Sequence, residues 1–204
     1  MSREKIYSET LGKQLISLAA EKIAEGGRDA VSLRRLARDA GTSTTAIYTL
    51  FGSKDELVAA VLAAAGASLT AAQDAVPTTD DPLADFAELG RCYRRWALDQ
   101  PELYAVMFGR AGLREVIAGA ALDVAMRPLL EAVRRCMDAG VLRAADPREA
   151  ALSIWASVHG LVSLEIAGYV DDEGDVLEQH LVASALYWLA PSVAEPLARV
   201  ASRY

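Results

Sequence analysis

Apolar residues recur at spacings of three and four along nearly the whole chain, whereas clean alternation of apolar and polar residues is almost absent. The first pattern is typical of amphipathic α-helices and the second of strands, so the sequence predicts an all-α protein. The first stripe begins with Leu11 and Leu15 and stops before Gly26-Gly27. This predicts a helix over about residues 9–25, because glycine accepts the left-handed conformation that ends helices.

Three more helix starts follow within the next thirty residues. Ser32, Ser43 and Ser53 each precede a short apolar-periodic segment, and serine is a favoured N-cap residue. Gly41 is placed to end the helix that starts at Ser32, and Ser53 with Glu56 has the spacing of a capping box. We therefore predict a three-helix N-terminal domain, residues 1–60, whose last residues begin a fourth helix.

The rest of the chain, residues 61–204, predicts a second helical domain. After a Pro-rich connecting segment at 76–82, helices are expected over about 82–99, from Pro101 to about 108, up to Gly140, over 147–169 and over 176–189. Residues 150–170 contain a single charged residue, Glu165, so that helix has no polar face and must be covered on all sides. Its outer side is expected to pack against another protein surface, as is the face of the last helix that ends with Trp188 and Leu189.

Composition and charge exclude several classes of protein. The chain has 204 residues, 52% of them hydrophobic and 24% charged, which indicates a globular protein able to bury a core. A net charge of -7 argues against a protein that coats nucleic acid with its whole surface. Residues 28–54 nevertheless carry five basic groups against two acidic ones, so a polyanion would meet a local patch. The N-terminus has no secretory pattern, and two cysteines fit a reducing cytoplasm.

The sequence contains none of the common catalytic motifs, so we expect no enzyme and no cofactor. Cys92, Cys136, His159 and His180 lie too far apart in sequence for a structural metal site, and no metal is expected. Polar residues interrupt the apolar run of 150–170, which argues against a membrane span.

Residues 32–51 have the pattern of a helix-turn-helix, two short helices joined by a glycine-containing turn, whose second helix enters the DNA major groove. Hydroxyl-bearing residues on its outward face would allow close approach to base edges, and arginine forks pair with guanine or phosphate. A merely solvated surface is the alternative for this pattern taken alone. The predicted DNA-contacting residues are Ser32, Arg34, Arg35, Ser43, Thr44, Thr45, Tyr48, Thr49 and Lys54.

Residues 24–57 (AEGGRDAVSLRRLARDAGTSTTAIYTLFGSKDEL) closely resemble the N-terminal domain of the TetR family of transcriptional regulators. The resemblance implies that Arg34 and the two threonines at 44–45 lie nearest the bases and that Tyr48 and Lys54 contact the DNA backbone. The chain departs from the family at 49–50, where a histidine or second aromatic residue is common. The resemblance therefore implies no base preference for that end of the helix.

Two later segments, 93–109 and 155–168, resemble the TetR C-terminal subgroup named for its Trp-His-Gly motif, here Trp155 followed by His159-Gly160. The resemblance implies a homodimer through about 147–169 and 176–189, bound to a near-palindromic operator in double-stranded DNA, and most often repression. On this basis a charged residue near Val162 is expected to produce monomers.

A small apolar or aromatic effector would release the DNA, and its predicted contacts are Tyr93, Trp96, Tyr104, Met107, Phe108, Cys136, Trp155 and His159. Core packing is the alternative role for these side chains. Two further alternatives stay open: a DNA-binding module that responds to a partner protein and not to a ligand, and a redox sensor that uses Cys92 or Cys136.

Overall fold

The structure is a computed structural model that describes residues 3–109, 120–170 and 187–194. Helices dominate these ranges, which confirms the predicted all-α class. They are α1 (Arg3–Gly26), α2 (Leu33–Asp39), α3 (Thr44–Phe51), α4 (Lys54–Asp74), α5 (Pro82–Asp99), α6 (Pro101–Phe108), α7 (Ala120–Asp138) and α8 (Pro147–Ile166). Helix α1 starts six residues earlier than predicted, and α8 ends three residues earlier, where Gly168 takes a left-handed φ of 73°.

The chain divides into two compact units. The first comprises Met1–Leu69 with Gln100–Ala125, and the second comprises Thr70–Asp99 with Met126–Tyr204. The first unit therefore holds all of α1, α2, α3 and α6 and most of α4. The second unit holds all of α5 and α8 and most of α7. The functional boundary predicted near residue 60 stays a prediction.

The core of the first unit is built on α1. Leu15, Ala19 and Ile23 are fully buried at the spacing of one helical face, and α1 contacts α2, α3 and α6. Leu36 of α2 and Ile47 of α3 are buried as well. Each such aliphatic side chain contributes about 1.5–3 kcal/mol through burial, so the two short helices are held by α1 and not by their own propensity.

Helix α4 has one buried stripe with a spacing of four residues. Leu57, Val61, Ala65 and Leu69 are buried, and Gln73 continues the same row. The length and apolar composition of α4 would also allow a membrane span, a property it shares with core helices of soluble proteins.

The core of the second unit includes two residues that the sequence had assigned elsewhere. Trp188 and Leu189 were expected on a helix that faces a partner, but both are buried against Cys136 and Ile154 of their own unit. Residues 187–189 form a turn and a single bridge to Leu142 instead of a helix. Backbone hydrogen bonds from 143 N to 188 O (2.8 Å) and from 190 N to 141 O (2.9 Å) fix this arrangement. The remainder of the helix predicted over 176–189 lies outside the described residues.

A buried carboxylate fixes the loop between α4 and α5. Asp85 accepts hydrogen bonds from the Thr79 backbone N–H (2.8 Å), the Thr79 hydroxyl (2.7 Å) and Arg135 Nη1 (2.7 Å). Arg135 Nη2 also donates to the Thr79 carbonyl oxygen (2.6 Å). The hydrogen bonds from Thr79, followed by that from Arg135, lower the pKa of Asp85 from 3.8 to about 2.

This lowered pKa predicts a specific acid dependence. Because the pKa falls on folding, the Asp85 carboxylate stabilises the fold above about pH 4, and the stabilisation disappears as the pH falls toward 2. We expect Asp85→Asn to be less stable at neutral pH and to lose stability less steeply over this window. Urea unfolding followed by circular dichroism at several pH values measures both effects. The exposed Asp80→Asn variant is the control, and a parental acid slope in Asp85→Asn would refute the assignment.

Candidate functional site

The turn between α2 and α3 is built as the sequence predicts. Gly41 has a left-handed φ of 64°, and the Thr42 N–H donates to the Ala37 carbonyl (2.8 Å) to close α2. Ser43 caps α3, because its Oγ accepts a hydrogen bond from the Ala46 N–H (3.1 Å). Ser32 occupies the N-cap position of α2, but its side chain makes no capping hydrogen bond.

Helix α3 presents a polar face to solvent and an apolar anchor to the interior. Ile47 is 1% exposed, whereas Tyr48 on the next position is 53% exposed. The remaining outward residues are Ser43, Thr45 and Thr49, which are exposed, and Thr44, which is half-buried. The Thr49 hydroxyl donates to the Thr45 carbonyl (2.9 Å), so it is held against the helix. Phe51, the last residue of α3, is half-buried.

Two of the five basic groups in this region are neutralised by neighbouring acids. Arg28 forms an ion pair with Asp55, and Arg38 pairs with Asp39 through Nε at 3.1 Å. The excess positive charge of the region therefore rests on the other three residues.

Those three residues are Arg34, Arg35 and Lys54. Both arginines are exposed on α2, and Lys54 is the first residue of α4. Within the part of the chain that the structure describes, none of the three forms an ion pair. Ser53 Oγ accepts from the Glu56 N–H (3.1 Å), so α4 is capped at the point where Lys54 stands. A free arginine pair and a lysine at a helix N-terminus form a surface suited to phosphate.

The eight side chains predicted to contact an effector are divided between the two units. Tyr104, Met107 and Phe108 belong to α6 in the first unit, where the Tyr104 and Phe108 rings lie 5.2 Å apart. The other five belong to the second unit. Cys136 is part of that unit's apolar core.

In the second unit, Tyr93, Trp155 and His159 come together. The Tyr93 hydroxyl and His159 Nδ1 are 2.7 Å apart, and the Trp155 and His159 rings are 4.9 Å apart. Trp96 lies 6.4 Å from the Tyr93 ring. Burial lowers the pKa of His159 below its ordinary value of 6.5 and so favours the neutral imidazole.

A cavity of about 40 Å³ lies beside this group. Of the eight predicted effector contacts, Tyr93 and Trp155 line this cavity. Sequence reasoning missed Gln73, Phe86, Leu89, Gly90, Leu129, Ile154 and Val158. The sequence did carry a signal for Gln73, because this polar residue continues the row of α4 residues, spaced four apart, that is buried.

Both cysteines are buried and hydrogen-bonded to backbone carbonyls. Cys92 Sγ donates to the Ala72 oxygen and Cys136 Sγ to the Pro82 oxygen, each at 3.2 Å. Burial raises the pKa of Cys92 and raises that of Cys136 to about 11. A thiol with a raised pKa contains little reactive thiolate, which argues against the redox-sensor alternative. Among the described residues no group of three His, Cys, Asp or Glu side chains is placed to hold a metal.

The thiol environment predicts slow labelling. In the folded protein at pH 8 we expect neither cysteine to react with a disulfide reagent on the minute scale, whereas both should react fully in urea. Absorbance of the released aromatic thiol measures the two rates. Rapid reaction of the folded protein would show that at least one thiol is accessible.

Comparisons with known proteins agree with this geometry. The family model described as bacterial regulatory proteins, tetR family, matches residues 15–61, and the model described as tetracyclin repressor-like, C-terminal domain, matches residues 86–185. The HTH-type transcriptional regulator Rv1816 of Mycobacterium tuberculosis (strain ATCC 25618 / H37Rv) is 28% identical over 106 residues, which cover 50% of this chain and 44% of that protein. The match thus spans less than half the length of the curated relatives.

Solved structures extend the likeness over most of the chain. A protein with unknown function from Rhodococcus sp. RHA1 is 30% identical, with a TM-score of 0.70 over 88% of this chain and 95% of that one. A TetR family transcription regulator from Marinobacter aquaeolei VT8 shares the fold, with a TM-score of 0.76 and 16% identity over 93% of this chain and 100% of that one. Two family models in the expected order, on a capped helix-turn-helix, show that the chain belongs to the TetR family of bacterial transcriptional regulators.

Proposed function

We propose that the protein is a sequence-specific repressor that binds a near-palindromic operator in double-stranded DNA as a cytoplasmic homodimer. The observation that carries the proposal is that α3 has one apolar, buried face and one polar, exposed face. Ile47 is buried, while hydroxyl-bearing residues and Tyr48 face solvent. Three basic groups of the same region form no ion pair with any residue that the structure describes. Small hydroxyls can approach base edges in the major groove, and the basic groups and the tyrosine hydroxyl can bind phosphates.

The outer face of α8 supports the dimer. Ile154, Val158 and Val162 are buried in their own unit, whereas Leu152 and Leu164 on the opposite face are 56% and 48% exposed. A second copy of the chain that covers these leucines would bury the remaining side of a helix that has no polar face. Two subunits related by a twofold axis would then place two α3 helices on half-sites about 34–36 Å apart.

The cavity beside Tyr93 and Trp155 supports a small apolar or aromatic effector that releases the DNA. Such an effector must bind the DNA-competent and DNA-incompetent dimers with different affinity, because equal affinity shifts no equilibrium. The alternative is a DNA-binding module controlled by a partner protein and not by a ligand. Assignment to the Trp-His-Gly subgroup stays a prediction.

Two substitutions test the DNA interface once footprinting on the DNA that flanks the gene has located the operator. We expect Arg34→Ala to cost about 1–3 kcal/mol and to relax base preference, since an arginine fork reads guanine. Lys54→Ala should weaken binding to all sequences alike and flatten the salt dependence by about one unit. Fluorescence anisotropy at several salt concentrations measures both.

Arg134→Ala, which removes an exposed arginine of the second unit, serves as the charge-matched control. The assignment would be wrong if Arg34→Ala and Lys54→Ala both bound operator like the parent protein.

A further inference from the structure

The side chain of Gln73 has an unsatisfied buried acceptor. The residue is 7% exposed, and its Oε1 has no hydrogen-bond partner within the described ranges. A buried acceptor without a donor loses its hydration and gains nothing in return, so such groups are rare in folded proteins. A donor from a bound molecule would satisfy this oxygen.

Gln73 stands where an apolar and a polar space meet. Together with Leu89 it lines the cavity of about 40 Å³, whose other walls include the aromatic side chains Phe86 and Trp155. The same two residues also line a second pocket of about 170 Å³. Gln73 and Leu89 are therefore common to the walls of an apolar cavity and of a more polar pocket.

The polar pocket carries more negative than positive charge. Its walls contain the carboxylates of Asp74, Asp85 and Glu131 but a single cationic side chain, Arg135, which is already bound to Asp85. Arg127 at its edge pairs with Asp74 (3.3 Å) and Glu131 (3.4 Å). An anionic headgroup would meet carboxylates here, whereas a neutral or cationic donor would not be repelled.

We propose that the second unit binds a small amphipathic molecule with an apolar body and a hydroxyl or amine head, whose N–H or O–H donates to Gln73 Oε1. This inference rests on the proposed function, because the molecule would be its effector. The cavity holds only a few heavy atoms as it stands, so the body is a short alkyl group or a single ring that displaces neighbouring side chains. With the same body, a carboxylate is expected to bind less tightly because the pocket has an excess of negative charge, and an ether because it has no donor.

Four probes with one phenylethyl body separate these requirements: 2-phenylethanol, phenethylamine, methyl phenethyl ether and 3-phenylpropanoate. Isothermal titration of the full-length protein without DNA measures each affinity. We expect the alcohol and the amine to bind at least about tenfold more tightly than the ether and the carboxylate, which is the effect of one buried hydrogen bond.

Gln73→Leu removes the acceptor and retains the bulk. It is expected to abolish the preference for the alcohol over the ether and to raise the Tm by about 2–4 °C, because the unsatisfied oxygen is gone. Gln14→Leu, an exposed glutamine on α1, is the matched control and should retain the parental preference.

Equal or tighter binding of the ether, tightest binding of the carboxylate, or no measurable binding of any probe would overturn the inference. Operator binding by the same preparation is measured separately. Failure of the ligand-free protein to bind operator contradicts the proposed repressor, whereas failed discrimination among the probes contradicts the ligand assignment alone.

Discussion

Leu164→Asp is expected to yield monomers and to lower operator affinity by at least about two orders of magnitude. The side chain of Leu164 is 48% exposed on the outer face of α8, so a carboxylate there is solvated in the monomer but buried in the proposed dimer. A monomer reaches one half-site only and loses the gain in effective concentration that links two half-sites, which is about 10²–10⁴. Sedimentation and operator titration measure the two effects together.

The position of the substitution matters. A charge at Val162 was expected from the sequence to separate the subunits, but Val162 is fully buried in its own unit, so Val162→Asp would unfold that unit first. Leu164→Asp should keep the parental circular dichroism spectrum. Ala63→Asp, on the exposed side of α4, is the control for an added carboxylate. A dimeric Leu164→Asp protein with parental affinity would place the interface elsewhere.

Arg94→Met is expected to destabilise the protein by about 3–5 kcal/mol, the usual effect of removing one partner from a buried ion pair. Arg94 Nε donates to Glu165 Oε2 at 2.8 Å, and a second hydrogen bond joins Nη2 to Oε1. The two side chains are only 19% and 11% exposed, so Glu165 would be left as a nearly buried charge without its guanidinium. Urea unfolding gives the free energy directly.

Two variants isolate the cause of that loss. The double variant Arg94→Met/Glu165→Leu removes both charges and should recover most of the stability. Arg95→Met is the neighbouring control. It breaks an exposed pair with Glu88 (2.7 Å) and should cost less than about 1 kcal/mol. If Arg94→Met and Arg95→Met lost the same stability, burial of the first pair would not be the reason.

The local features of the N-terminal region could be predicted because each depends on a few adjacent residues. Ser43 caps α3 through its own hydroxyl, and Gly41 takes the left-handed turn that its missing Cβ permits. The outward position of Tyr48 follows from the burial of Ile47 one residue earlier. The Ser32 hydroxyl is the exception, because an extended N-cap residue does not require a side-chain hydrogen bond.

Features that depend on distant contacts could not be predicted in the same way. The apolar character of Trp188 and Leu189 shows that they must be covered, but it does not distinguish their own core from a partner subunit. Likewise Tyr104, Phe108 and Trp155 are all aromatic, so residue type alone does not tell them apart. Only the fold assigns them to different units. The Gln73 acceptor becomes evident only when its neighbours are known to lack a donor for it.

The protected thiols of Cys92 and Cys136 also have a practical consequence for spectroscopy. Because the chain has no other cysteine, Tyr48→Cys would introduce its one reactive thiol without removal of the native pair. A nitroxide attached at position 48 would report the separation of the two reading helices in solution, with and without an effector. The distance distribution between paired spins would then show directly whether the spacing of the helices matches one turn of DNA.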